Sequence, residues 1–276
     1  LPVDWYNGGM EHVTRHMIYS RVGHHFLYDI GEVPCPEPYA KRTAQGLILG
    51  PDGEKMSKSK GNVIDPLDVV DKYGADVLRV YVLFMGDYEK AAPWSDSSVR
   101  GCKRFLDRTA GLLDIAKGSG ATPELESSFH KTVKKVSDDI EEMKFNTGIA
   151  ALMTLINEIY DHGSLTVDEL KTFVSLLCPY APHLCEEIWE KCGGKGLLSL
   201  GEWPEFDEAK TVDETVEIAV QICGKLRATI TIPRDADKDE AIAAAKADAR
   251  VAEQLAGKNI VKEIYVPGRI VNIVAK

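Results

Sequence analysis

The chain has 276 residues, 28% of them charged, and its formal net charge is −10. That length gives room for two or three domains, each with its own core. The acidic balance argues against a generally basic nucleic-acid-binding protein, so any RNA contact must use local basic patches. No apolar run approaches the length of a membrane span. We therefore expect a soluble protein with no membrane partner.

The six cysteines are typical of a reducing compartment. They form no C-x-x-C pair, and no signal-peptide pattern is visible. Cys178, Cys185 and Cys192 recur every seven residues in a helical pattern, which predicts a shared helix face. Small core residues, kept reduced, explain this spacing better than a metal site does. The sequence thus predicts a cytoplasmic protein without a metal at these cysteines.

The first fifty residues predict part of a nucleotide-binding sheet. Residues 1–6 are strand-like, Gly8 and Gly9 follow, and residues 10–30 predict a helix capped by Gly31. Two glycines between a strand and a helix let the backbone approach a ligand, and a helix N-terminus favours anions. A tight turn by itself also explains such a pair. Histidines in this helix are, taken singly, more often structural than ligand-binding.

A connector and a further strand complete this region. The proline-rich residues 33–39 predict a rigid connector, and residues 41–49 predict a short helix or turn followed by a buried strand. We interpret residues 1–50 as the second half of a doubly wound, Rossmann-like α/β domain. Sheets of this kind bind ligands at the carboxyl ends of their strands.

Residues 54–62 are the stretch on which the functional interpretation depends. Three lysines alternate with two serines before a Gly-Asn pair, and the turn signal Pro-Asp-Gly precedes them at residues 51–53. Small hydroxyls and backbone N–H groups wrap a polyanion closely, and ammonium groups neutralise charge that develops on it. The spacing of a P-loop is absent. For an arbitrary run of this composition, a solvated loop would be the usual interpretation.

The chain after the loop is predicted to be helical. Helices over residues 66–73, with Asp65 as N-cap, and 76–85 would carry and brace the loop. Trp94 is expected to anchor the start of the next helical region. From there to residue 189 the apolar pattern predicts an all-α, antiparallel bundle of four or five helices.

Four basic residues near the start of this bundle lie at helical spacing. They are candidate contacts to RNA phosphates, and a solvated helix face is an equally good interpretation. These residues are Arg100, Lys103, Arg104 and Arg108.

The last part of the chain predicts a small α+β domain. After an irregular linker, apolar residues alternate with a period of two from Glu214 onward. Two hairpins then flank one alanine-rich helix, predicted over residues 237–256 and ended by Gly257, which gives the order ββαββ. We therefore expect four segments along the chain: residues 1–50, 51–95, 96–210 and 211–276.

The lysine–serine loop resembles a known signature. Lys55-Met56-Ser57-Lys58-Ser59 matches in full the signature loop of class I aminoacyl-tRNA synthetases. Its continuation at residues 61–66 and 73–79 is similar to the large-aliphatic branch of that class. The segment Gly8-Gly9-Met10-Glu11-His12, followed by His16, resembles the leucyl-tRNA synthetases in particular, since isoleucine and valine relatives usually carry Gly-Trp-Asp there.

Further segments carry the same resemblance. Residues 37–39 and 45–50 are again similar to the leucyl family, and residues 145–147 and 178–189 resemble the anticodon-binding bundle of the large-aliphatic synthetases. The ββαββ segment resembles the carboxyl-terminal domain with which leucyl enzymes reach the corner of the tRNA. Its basic residues are candidate tRNA contacts: Lys225, Arg227, Lys258, Lys262 and Arg269.

The resemblance implies a two-step reaction. Leucine attacks the α-phosphate of ATP, with Mg²⁺ accompanying the nucleotide, and the leucyl group then passes to the 3′-terminal adenosine of tRNA-Leu. Lys55 and Lys58 would neutralise the departing pyrophosphate as catalytic residues, and Lys60 is a weaker candidate. His16 would face the amino-acid pocket. The remaining residues implied to bind ATP are Gly8, Gly9, Glu11, His12, Met56, Ser57 and Ser59.

The resemblance is incomplete in one respect. The His-x-Gly-His half of the class I site and an editing domain are absent. Residues 21–25 match the His-x-Gly-His signature only in part and lie inside a predicted helix, so His24 and His25 are expected on the helix surface. The chain also begins with Leu1. We therefore expect a carboxyl-terminal part that is inactive alone and needs a missing N-terminal catalytic half, in the same chain or as a separate subunit. A synthetase for isoleucine, valine or methionine and a non-catalytic tRNA-binding module remain alternatives.

Overall fold

A computed structural model describes residues 1–211 and 215–275. Glu214, at which the predicted change of period begins, lies outside the described residues. Contacts between residues divide the chain into two compact units, Leu1–Phe206 and Asp207–Lys276. No helix within the described residues is long and apolar enough to cross a lipid bilayer.

Two short parallel strands open the first unit. Strand β1 (Tyr6–Gly9) pairs with β2 (Arg42–Gln45), and helix α1 (His16–Asp29) lies between them in the chain. The strand predicted over residues 1–6 is displaced: Val3 makes a single parallel bridge to Tyr39, and continuous pairing runs from Tyr6 to Gly9. The predicted helix over residues 10–30 likewise begins late, since Met10–His12 form a single 3-10 turn.

A second parallel pair leads into the loop. Strand β3 (Ile48–Leu49) pairs with β4 (Ala92–Pro93), and both residues of β3 are only half-buried. The helix or turn predicted before this strand is wrong, because that segment is β2. The backbone of residues 46–49 hydrogen-bonds to residues 88–94 at three points, with N···O distances of 2.8, 3.0 and 3.0 Å. The segment that enters the loop is therefore held by backbone pairing.

Two helices follow the loop, as predicted. Helix α2 (Pro66–Tyr73) is capped by Asp65, whose Oδ1 accepts from the Leu67 N–H at 2.9 Å, and α3 (Ala75–Phe84) comes next. Buried Trp94 packs edge-on against Tyr81 with 4.7 Å between ring centroids, as expected of an anchor.

Five helices then form the bundle between residues 96 and 191, all of which are described. They are α4 (Asp96–Ile115), α5 (Pro123–Glu141), α6 (Phe145–His162), α7 (Val167–Leu177) and α8 (Pro182–Lys191). Their apolar stripes share one core with buried residues of α2 and α3. Asp76 of α3 also accepts from the Leu184 N–H at 2.8 Å, and its Oδ1 lies 2.7 Å from His183 Nδ1. The helices that follow the loop are thus braced against the bundle.

The second unit has a mixed four-stranded sheet. Its elements are β5 (Thr215–Ile222), β6 (Lys225–Pro233), α9 (Lys238–Ala247), α10 (Ala249–Leu255), β7 (Ile260–Val266) and β8 (Ile270–Ala275). The strand order is β6-β5-β8-β7, with β5 and β8 parallel at the centre. The single helix predicted here is divided in two, because the Asp248 side chain accepts from the Arg250 and Val251 N–H groups and starts a new helix.

The cysteines of the heptad spacing lie in the first unit. Cys178 and Cys185 are buried, and Cys192 is half-buried. Burial raises the pKa of the Cys178 thiol to about 11, so it stays protonated at neutral pH. Among the described residues, no three His, Cys, Asp or Glu side chains form a group that could hold a metal ion.

His24 and His25 were both expected on the helix surface, and this expectation is wrong for His24. His24 is buried, and its Nε2 lies 2.8 Å from the carbonyl oxygen of Cys35, whereas His25 is exposed beside Glu37. Arg21 of the same helix donates to both oxygens of Glu37, at 2.9 and 2.5 Å. These contacts fasten α1 to the connector that follows it.

The Arg21–Glu37 pair gives a titration prediction. The hydrogen bonds from Arg21 lower the pKa of Glu37 from 4.5 to about 2. Because the folded pKa is depressed, the pair stabilises the fold above pH 4.5 and loses that effect as the pH falls toward 2. We expect the Glu37 carboxyl signal in an NMR titration to move at the lower pH. Arg21→Ala should return the midpoint toward 4.5, and an unchanged midpoint would contradict the pairing.

Candidate functional site

The lysine–serine loop is short and locally ordered. Residues Lys58–Lys60 form one 3-10 turn that ends at Gly61, whose φ of +67° lies in the left-handed region that glycine tolerates. The hydroxyl oxygens of Ser57 and Ser59 lie 2.8 Å apart. Met56 packs against the core of the first unit. The side chain of Met56 therefore anchors the middle of the loop, and the hydroxyls lie outside.

The three lysines of the loop differ in their surroundings. Lys60 pairs with Glu54 at 3.3 Å. Lys55 and Lys58 are exposed, and neither ammonium has a hydrogen-bond or ion-pair partner among residues 1–211 and 215–275. These two lysines present uncompensated positive charge next to two hydroxyls, an arrangement suited to a polyphosphate.

The base of the loop contains residues that the sequence reasoning missed. Asn62 donates to both carboxylate oxygens of Asp52, at 3.2 and 3.0 Å, and accepts from the Ser57 N–H at 2.8 Å. The Glu54 N–H and Asn62 lower the pKa of Asp52, so its carboxyl stays ionised. The sequence predicts a turn at residues 51–53 but not this contact, although Asp and Asn side chains next to glycine favour local hydrogen bonding.

The glycine segment forms a second group of candidate residues. The Glu11 carboxylate folds over Gly9 so closely that a Cβ built there would lie 2.3 Å from its Oε2. The rings of His12 and His16 meet edge-on at 5.1 Å, and Tyr6 Oη lies 2.6 Å from His16 Nε2. The predicted residues of this segment thus make two contacts where the chain leaves β1, Glu11 against Gly9 and His12 against His16.

Arg42 and Tyr6 complete this second group, and the sequence reasoning missed both. Arg42 lies on β2 and donates to the Gly9 carbonyl at 3.2 Å and to the Met17 sulfur at 3.1 Å. The sequence did not indicate a role for Arg42, because its segment was predicted to be a helix or turn and not a strand beside β1. Within the described residues, no hydrogen bond or ion pair joins this group to the lysine–serine loop.

The basic residues of α4 fall into two kinds. Lys103 pairs with Asp107, and Arg108 donates to Asn157 at 2.6 Å and stacks on Tyr160. Arg100 and Arg104 are exposed, without an ion-pair partner in the part of the chain that the structure describes. Of the four, Arg100 and Arg104 therefore have both an exposed side chain and an uncompensated charge.

The five basic residues that the sequence predicts as tRNA contacts in the second unit are all exposed but do not form one patch. Lys225 and Arg227 lie on β6, at one edge of the sheet, and Lys262 lies on β7, at the other edge. Lys258 precedes β7, and Arg269 lies in the turn before β8.

Comparison with known proteins assigns two stretches of the chain to families. Residues 20–95 match the family described as class I tRNA synthetases (I, L, M and V), and residues 123–242 match the anticodon-binding domain of tRNA ligase. The chain thus combines part of a class I synthetase fold with an anticodon-binding helical domain.

Solved structures agree with this class. A LeuRS–tRNA–LeuAMS ternary complex from Agrobacterium radiobacter K84 is 34% identical, with a TM-score of 0.73 over all of this chain and 38% of that one. A Mycobacterium tuberculosis methionyl-tRNA synthetase bound to methionyl-adenylate shares the fold, with 16% identity and a TM-score of 0.53 over 68% of this chain and 44% of that one.

Two curated relatives are similar to the chain over its whole length, and both are leucine–tRNA ligases. The chain is 53% identical to a leucine–tRNA ligase of Alkaliphilus oremlandii and 48% identical to one of Bdellovibrio bacteriovorus, over its whole length. It is therefore homologous, from end to end, to leucine–tRNA ligases. It spans about a third of the length of these relatives, 34% and 35%.

Proposed function

We propose that the chain is the portion of a leucine–tRNA ligase that holds the ATP phosphates and binds tRNA-Leu. The observation that carries this proposal is the loop in which Lys55 and Lys58, unpaired among the described residues, stand beside the hydroxyls of Ser57 and Ser59. The whole-length similarity to leucine–tRNA ligases supports the choice of amino acid.

The first step of the proposed reaction activates leucine. Its carboxylate oxygen attacks the α-phosphorus of ATP, the bond to the β-phosphate oxygen breaks, and pyrophosphate leaves with the bonding electrons. Negative charge grows on the leaving group, and the ammonium groups of Lys55 and Lys58 neutralise it. Because the loop is ordered before the reaction, little reorganisation is needed at that moment.

In the second step, the leucyl group passes from the adenylate to the 3′-terminal adenosine of tRNA-Leu, and AMP leaves. The glycine segment supports the nucleotide: the backbone of Gly8 and Gly9 would lie along the adenosine, and the Glu11 carboxylate, which covers Gly9, is a hydrogen-bond acceptor for the ribose. His12 would face the nucleotide and His16 the amino-acid pocket.

Magnesium enters this proposal with ATP. The phosphate oxygens of ATP are ligands of the kind that Mg²⁺ prefers, and no ligand from this chain is assigned to the ion. Bound there, Mg²⁺ would add positive charge at the phosphates, and no step attributed to this chain depends on it.

The exposed face of α1 supports a need for a further catalytic portion. Tyr19, Val22 and Phe26 are 74%, 64% and 62% exposed, at spacings that place them on one face of the helix. A contiguous apolar face of this kind marks a surface that packs against something else. We therefore expect the chain alone to bind ATP very weakly and to be inactive, and the missing N-terminal catalytic half to cover this face.

The bundle and the second unit would bind the tRNA. Arg100 and Arg104 supply available charge on α4, and the basic residues of the second unit supply more. Two alternatives differ in testable ways. A synthetase for isoleucine, valine or methionine would catalyse ATP–pyrophosphate exchange that depends on that amino acid. A non-catalytic tRNA-binding module would catalyse no such exchange.

The proposal is tested by measuring the affinity of this chain for a leucine tRNA and a valine tRNA at two salt concentrations. We expect a preference for the leucine tRNA that survives added salt, because shape and base contacts are not lost by counterion competition. The double variant Arg100→Ala with Arg104→Ala should weaken both complexes alike. It should also reduce the slope of log affinity against log salt concentration by about two, because two phosphate contacts are lost. Equal, salt-labile affinity for the two tRNAs would contradict leucine specificity in this portion.

A further inference from the structure

The base of the lysine–serine loop is closed by one carboxamide. Asn62 donates to the Asp52 carboxylate and, at 3.4 Å, to the Lys55 carbonyl, while its oxygen accepts from the Ser57 N–H at 2.8 Å. A single side chain thus bonds to the backbone on both sides of Met56. The two ends of the loop, at residues 52 and 62, are joined through the same group.

Asp52 is itself held in place from the other side. Its Oδ1 accepts from the Glu54 N–H at 3.0 Å, and the Gly50 N–H donates to the Glu54 carbonyl at 2.8 Å. The carboxylate therefore has a fixed position when Asn62 reaches it. Because hydrogen bonds to an ionised acceptor are stronger than neutral ones, this contact is the strongest link across the base.

Gly50 provides independent evidence that the contact is built into the fold. A Cβ at this buried position would lie 2.7 Å from Asp52 Oδ1 and 2.9 Å from Asn62 Nδ2. Any side chain here would push the two groups apart. Its backbone lies directly against both partners, so the space that lets them meet depends on a glycine.

The other contact across the base is weaker. Lys60 and Glu54 are 3.3 Å apart, and their side chains are 53% and 65% exposed. Exposed pairs of this kind contribute little and are screened by salt. Asp52 and Asn62 differ from this pair because they also bond to the backbone of Glu54, Lys55 and Ser57, so they constrain the chain that presents Lys55 and Lys58.

We propose that Asp52 and Asn62 are positioning residues that hold the loop closed at its base and so aim the ammonium groups of Lys55 and Lys58 at the phosphates. This inference rests on the proposed function for its catalytic part. Neither residue touches the reacting atoms; both act through the backbone of residues 54–57.

The test reverses the donor and the acceptor. Asn62→Asp keeps an oxygen for the Ser57 N–H but sets two carboxylates against each other. Asp52→Asn combined with Asn62→Asp gives the pair a carboxamide and a carboxylate again, with the roles exchanged. Glu54→Gln, which removes only the exposed ion pair, is the matched control.

The first readout uses the full chain and needs no activity. Trypsin needs an extended, unpaired backbone at the bond it cuts, so the rate of cleavage after the loop lysines, followed by mass spectrometry of the fragments, should rise when the base opens. We expect Asn62→Asp to raise that rate about tenfold, the double variant to restore it to within about threefold, and Glu54→Gln to change it less than twofold. Equal rates for Asn62→Asp and the wild type would overturn the proposal whatever the activity.

The second readout is leucine-dependent ATP–pyrophosphate exchange by the complete ligase. We expect Asn62→Asp to lower kcat about 10- to 100-fold with a smaller change in the KM for ATP, and the double variant to recover most of it. Faster cleavage with unchanged kcat would overturn the positioning role and leave the proposed function standing. A wild-type ligase without exchange would overturn the proposed function, and with it the catalytic part of this inference.

Discussion

On the proposed function, Lys58→Ala is expected to lower leucine-dependent ATP–pyrophosphate exchange by the complete ligase about 10²- to 10³-fold. Its ammonium is exposed and has no ion-pair partner among the described residues, so its charge is available to the departing pyrophosphate. Removal of one preorganised charged donor from a site where negative charge develops has effects of this size. The affinity for tRNA-Leu should change less than twofold, because the loss falls on the activation step.

Lys60→Ala is the matched comparison within the same loop. Lys60 is paired with Glu54, and its charge is partly compensated, so we expect a reduction of less than about tenfold. The ratio between the two variants therefore tests the assignment better than either alone. If Lys58→Ala left exchange unaffected, Lys58 would not act on the phosphates, and a non-catalytic tRNA-binding module would become the better description.

Gly46→Ala is expected to destabilise the first unit by about 3 kcal/mol, at the upper end of the range for overpacking. Gly46 lies between β2 and β3, and a Cβ on it would lie 2.0 Å from the Lys90 carbonyl oxygen and 2.2 Å from its carbon. The obstacle is backbone, and it is held by the hydrogen bond from the Gly46 N–H to the Tyr88 carbonyl at 2.8 Å. The clash therefore cannot be relieved by a change of side-chain rotamer.

Urea unfolding followed by tryptophan fluorescence measures this effect in the first unit alone. The sequence has four tryptophans, Trp5, Trp94, Trp189 and Trp203, and all four lie in that unit. Gly23→Ala is the control: the position is inside α1, nothing lies within 4 Å of its Cβ, and we expect stabilisation by about 0.5–1 kcal/mol. Equal midpoints for Gly46→Ala and the wild type would mean that residues 88–92 do not pack on this glycine.

The sequence alone determined most of the helical architecture. Apolar residues recur with the helical period over long stretches of α4 to α7, and a pattern of that length leaves little ambiguity about element type. Asp65 was identified as an N-cap because its chemistry is local, and Asp65 does accept from Leu67. The period-two pattern likewise predicted the hairpins of the second unit. Along β8, for example, buried residues alternate with partly exposed ones.

The strands of the first unit were decided by tertiary pairing. β1, β2, β3 and β4 are between two and four residues long, too short for a period to be read, and each exists because a parallel partner distant in sequence supplies its hydrogen bonds. The division between α9 and α10 at Asp248 was hidden for another reason. Alanine favours helix throughout, so propensity did not reveal a residue that caps a second helix.

The candidate site divides in the same way. The motif at residues 55–59 and the Gly8–His16 segment predict the chemistry, because the residue types and their order are themselves the signal. The sequence did not show that Lys60 is paired while Lys55 and Lys58 are available, that Arg42 reaches back to Gly9, or that Asn62 closes the base of the loop. Those facts depend on distances between segments separated along the chain, which only the packed backbone sets.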